Sequence, residues 1–125
     1  MELEAMKKAV VSALEDVKAK DIVVLDVGHL TSMTECMIIA SADSTRQTKA
    51  LARSVHDKLK EAGAEILGME GEDTGEWVLV DLGQVVVHIM QPAVRAYYNL
   101  EQLWGGEQAV PLPGGIGTPQ RRAVK

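Results

Sequence analysis

Residues 75–91 read GEWVLVDLGQVVVHIMQ, from Gly75 to Gln91, and form the longest β-rich run in the chain. Two stretches, Trp77–Asp81 and Gln84–Met90, are separated by Leu82 and Gly83. Val, Ile and Trp suit a pleated, half-buried surface, and a glycine between two such runs supplies the positive φ of a tight turn. The segment is therefore an antiparallel hairpin. Alternation gives it two faces. Val78, Val80 and Leu82 of the first arm share a face, as do Val85, Val87 and Ile89 of the second; this aliphatic side belongs under helices. The other side carries Trp77, Leu79 and Asp81, then Val86, His88 and Met90. An aromatic, an acid, a histidine and a methionine together are an odd core and a common contact surface.

Outward from the hairpin, the chain divides into recognisable segments. Residues 2–19 carry Leu3, Met6, Val10, Leu14 and Val17 at helical spacing. Ile22–Val27 is a compact aliphatic strand ended by Gly28, and Cys36–Ala40 is a second short strand. Ser44 with Gln47 three residues on has a capping-box pattern, opening a helix whose apolar stripe is Leu51, Val55 and Leu59. Gly63 stands where that helix needs a left-handed residue to end, and Ala64–Met69 is expected as a third strand. Glu70–Gly75 is an acidic loop. After Pro92, residues 93–104 read as one short helix with Tyr97, Leu100 and Trp104 on one side. The order αββαβββα predicts an α+β domain over residues 1–104, a mixed sheet of about five strands with helices mainly on one face. Such a one-sided cover leaves the Trp77/His88/Met90 face open. From residue 105 to 125 the chain is rich in Gly and Pro and is expected to be a flexible tail.

Composition narrows the function classes. With 46% hydrophobic and 25% charged residues over 125 positions, the chain has enough material for one core. It has no apolar run long enough for a membrane helix, and its amphipathic start is not a signal peptide. One cysteine excludes an internal disulfide and points to a reducing, cytoplasmic setting. A net charge of −5 opposes phosphate-driven nucleic-acid binding and suits a basic partner. Only the basic end, Arg121, Arg122 and Lys125, offers a contact to RNA.

No active site assembles from the remaining residues. Cys36 heads an apolar strand, as a small buried hydrophobe does. His29, His56 and His88 lack metal-ligand spacing, so neither a metal nor a cofactor is expected. Asp26 and Asp81 end different strands without the convergent acids that two-metal phosphoryl transfer needs. Neither GxGxxG nor GxxxxGK[ST] occurs. The stretch Ser41–Gln47 before a helix is read as an N-cap with a polar turn rather than an anion site.

From Asp21 to Trp104 the sequence resembles the ribosomal silencing factor, or Iojap-like, family. The resemblance is carried by Leu25-Asp26-Val27, Ser32-Met33-Thr34, Ser44-Thr45-Arg46-Gln47, Glu70-Gly71, Trp77, Val80-Asp81-Leu82-Gly83, Val87-His88-Ile89-Met90, Arg95, Tyr98 and Leu100-Glu101-Gln102-Leu103-Trp104. Glu35, where the family commonly has Asp, and Pro92, where many members carry a polar residue, depart from the pattern. The resemblance implies a nucleotidyltransferase-like topology without the catalytic acids, hence a factor that is not an enzyme. It implies binding to the large ribosomal subunit through large-subunit ribosomal protein fourteen, blocking the small subunit and repressing translation when nutrients are scarce. It also implies homodimers in some members, and it puts Trp77, His88, Met90 and Tyr98 on or beside the partner surface. Asp81, on the same mixed face, joins that set. A homodimeric structural module and a nucleotidyltransferase-like enzyme are the alternatives. Trp77 is expected as an exposed anchor rather than a core residue.

Overall fold

A computed structural model describes residues 1–104. The elements follow as α1 (Leu3–Asp16), β1 (Lys20–Asp26), β2 (Cys36–Ser41), α2 (Thr45–Glu61), β3 (Gly68–Glu70), β4 (Trp77–Asp81), β5 (Val85–Met90), α3 (Pro92–Tyr98) and α4 (Leu100–Trp104). The five strands form one sheet in the order β1-β2-β5-β4-β3. β2 and β5 pair in parallel and the other neighbours antiparallel, so the sheet is mixed as the α+β reading requires.

One face is the main core. Met6, Val10 and Leu14 of α1 and Leu51, Val55 and Leu59 of α2 pack onto Ile38, Ala40, Val78, Val80, Val85, Val87 and Ile89. The aliphatic side of the hairpin thus lies under two helices, as alternation demands. Ser44 caps α2 by accepting the Gln47 amide proton at 3.1 Å. The reciprocal half of the capping box is absent. Gln47 Nε2 instead donates to the Val17 carbonyl at 3.1 Å and joins the start of α2 to the end of α1. No helix of the described residues is long and apolar enough to cross a membrane.

Three elements differ from the sequence reading in ways that shape the fold. The first helix stops at Asp16, because Lys18 takes φ 62° and Ala19 N–H reaches back to the Leu14 carbonyl at 3.0 Å. That stop is of the kind glycine usually makes, and no glycine marks it. The third strand is only Gly68–Glu70, since Ala64 is buried where it closes α2 and residues 68–70 pair in register with β4, preceded by one bond from Leu67 N–H to the Asp81 carbonyl at 2.8 Å. The last helix is broken in two at Asn99, whose φ 49° and ψ 54° are left-handed. Consequently Tyr97 and Leu100 do not share a side: Tyr97 is 81% exposed while Leu100 is buried.

The largest correction concerns the reverse face of the sheet, which is not open. α3 and α4 fold back over it, and Val27, Met37, Ile39, Met90 and Leu100 make a second core with Leu25, Trp77 and Val94 packed against it. Both faces of β2 are covered, and all six of its residues are buried.

Candidate interaction surface

The pairing of β4 with β5 sets Trp77 opposite Met90, Leu79 opposite His88 and Asp81 opposite Val86, all on the reverse face. Trp77 is half-buried, and its indole Nε1–H donates to His88 Nδ1 at 2.9 Å. A ring nitrogen that accepts carries no proton, so the His88 proton resides on Nε2. His88 is 4% exposed, and burial pushes its pKa down from the usual 6.5 to about 4. The imidazole is therefore neutral at neutral pH, and acts as an acceptor.

Beyond Trp77 the rings continue outward. Tyr98 lies 4.8 Å from Trp77 between centroids with planes tilted by 48°, and Tyr97 stands edge-on to Tyr98 at 5.0 Å. His88, Trp77, Tyr98 and Tyr97 form a ladder from the buried sheet to solvent, ending at 51% exposure for Tyr98 and 81% for Tyr97. Two features of α3 and α4 hold the outer rings. Pro92 begins α3, where its fixed φ costs nothing, and left-handed Asn99 ends it. Arg95, itself buried, donates from Nη1 to Ser41 Oγ at 2.8 Å and from Nε and Nη2 to one Glu101 oxygen at 3.1 and 2.8 Å. The guanidinium thereby ties α3 to α4 and to the end of β2.

Four of the five predicted residues, Trp77, His88, Met90 and Tyr98, thus gather at one end of the sheet. They do not present a common surface. Met90 is fully buried and His88 nearly so; only Trp77 and Tyr98 reach solvent. Asp81 lies on the same face but about 13 Å along β4 from Trp77, and its Oδ1 accepts the Gly83 amide proton at 2.9 Å within the hairpin turn. Neither Tyr97 as an exposed ring nor the Arg95–Glu101–Ser41 clamp was among the site residues expected from the sequence. Asn99 was the signal for both, as a residue that tolerates the left-handed conformation in mid-helix. Cys36 is buried, and burial raises its thiol pKa, the opposite of nucleophile activation. Among the described residues no three His, Cys, Asp or Glu side chains come together as metal ligands.

The family model described as "Ribosomal silencing factor during starvation" matches residues 1–124. The chain belongs to the ribosomal silencing factor family. The match runs past residue 104, where the sequence reading ends the domain. The tail expected at 105–125 lies outside the described residues. The Chromobacterium violaceum protein named ribosomal silencing factor RsfS is 58% identical over 108 residues, covering 86% of this chain and 88% of that protein. A crystal structure from the same organism superposes with a TM-score of 0.83 at 54% identity, covering 96% of this chain and 98% of the other. The mouse protein named "Mitochondrial assembly of ribosomal large subunit protein 1" is 35% identical over 97 residues, covering 75% of this chain and 42% of that protein. As a ribosomal silencing factor the chain is a ribosome-associated repressor of translation, from a family that is not enzymatic.

Proposed function

We propose that this silencing factor docks on the large ribosomal subunit at the surface where the small subunit joins, touching large-subunit ribosomal protein fourteen through Tyr98, Tyr97 and the exposed edge of Trp77. Bound there it keeps the small subunit away, and translation falls when nutrients are scarce. The observation that carries this reading is the aromatic ladder. Two tyrosines stand at 51% and 81% exposure on a scaffold pinned from beneath by a buried histidine and a buried arginine. Tyr and Trp held rigidly at a surface are the residues that dominate binding energies at protein interfaces. A net charge of −5 favours approach to a basic ribosomal protein. The large subunit in the name of the mouse relative supports the choice of subunit. The site of action we place in the cytoplasm, where a lone buried thiol such as Cys36 stays reduced.

Sedimentation with separated subunits tests the proposal. The chain should pellet with large subunits, and adding it before the subunits are mixed should reduce the yield of whole ribosomes. Pelleting with small subunits alone would refute it. A chain that sediments as a dimer and binds neither subunit would instead assign these rings to a second copy.

A further inference from the structure

We propose that His88 is a positioning residue of the docking face: it accepts the Trp77 indole proton and so fixes the ring plane against which Tyr98 packs, without touching the partner itself. This role rests on the docking reading above. The imidazole sits on β5, buried, diagonally across the rung from Trp77 on β4, with ring centroids 5.8 Å apart. Indole has a single polar atom, a donor. Turning the ring over about its Cβ–Cγ bond would carry that donor away from Nδ1, so the 2.9 Å bond selects one of two otherwise similar placements. The bond lies at the dry end of the ladder, and a donor left unpaired beside buried groups loses its water without compensation. Leu and Met could fill the same space, but Leu offers no acceptor there and the Met thioether only a weak one. The indole proton is consumed inside the fold. Ring faces and tyrosine hydroxyls are therefore what the surface offers a partner.

Two substitutions in the full chain separate this role from packing. His88→Leu keeps the bulk and removes the acceptor; His88→Asn places an amide oxygen near the Nδ1 position. The probes are the indole proton resonance of Trp77, assigned with Trp77→Phe because Trp104 is the other indole, and affinity for purified large subunits. In His88→Leu the Trp77 resonance should shift, its exchange with solvent should quicken at least about tenfold, and affinity should fall about tenfold. His88→Asn should recover much of both losses. In a Trp77→Phe background, which lacks the donor, His88→Leu should weaken binding no further. An unshifted, slowly exchanging indole in folded His88→Leu overturns the proposal. So does a loss of binding by His88→Leu that persists undiminished with Phe at position 77. If the wild-type chain binds no large subunit, the docking reading fails, while indole exchange still reports whether His88 orients Trp77.

Discussion

His88 and Gly71 carry the sharpest consequences of single side chains. Because burial holds the folded pKa of His88 at about 4 against 6.5 when unfolded, the unfolded chain takes up the proton first as pH falls. This contribution to stability is whole above about pH 6.5 and is lost progressively down to about pH 4, a change of about 3 kcal/mol. Urea unfolding of the wild type and of His88→Asn at pH 7 and pH 4.5 measures it: the acid loss in the variant should be smaller by most of that amount, and equal losses would refute it. Gly71 has φ +87°, and a Cβ there would fall 2.0 Å from the Trp77 carbonyl oxygen. Gly71→Ala should therefore cost at least about 2 kcal/mol of stability, read as a lower urea midpoint. A midpoint within about 0.5 kcal/mol of wild type would mean that the loop yields freely. Trp77 itself was legible only by half. Alternation placed it on the face of His88 and Met90, but cross-strand hydrogen bonding and partial burial are not written in a period-two pattern. It is both a packed residue and the edge of a surface.

Among the elements, the hairpin and the two long helices were the legible part, for a physical reason. The β4–β5 run alternates cleanly, and α2 has a serine cap at one end and Gly63, at φ +96°, at the other. The short pieces were not legible. Lys18 and Asn99 stop helices from the left-handed region without glycine, and β3 exists only because three residues find partners on β4. Treating residues 93–104 as one helix had the largest effect. The break at Asn99 is what turns Leu100 inward, frees Tyr97, and lets Arg95 reach Glu101 and Ser41. Arg95→Met should free the α3–α4 pair at a cost of about 2 kcal/mol, below the usual cost of breaking a buried pair because Glu101 keeps partial access to water. Amide hydrogen exchange should quicken over residues 92–104 and stay unchanged in α1 and α2. Uniform protection across the chain would mean the clamp is dispensable.

At the scale of the molecule, the sheet has one thick and one thin cover. α1 and α2 seal one face, while α3 and α4 seal only part of the other and leave aromatic rings at its end. The α+β class and the mixed five-stranded sheet follow from the order of patterned segments, so sequence alone sufficed for them. The thin cover did not follow, because short helices with few apolar positions do not announce where they pack. Trp77 supports that cover, so Trp77→Ala should cost the fold about 3 kcal/mol and confounds stability with binding. Tyr98 is the cleaner probe, being half-exposed and contributing no backbone constraint. The decisive measurement is the affinity of Tyr98→Ala for purified large subunits, taken with its thermal midpoint. Docking through the aromatic face predicts a loss of about 2 kcal/mol or more, roughly thirtyfold in affinity, with stability within about 1 kcal/mol of wild type. Wild-type affinity in this folded variant would contradict it.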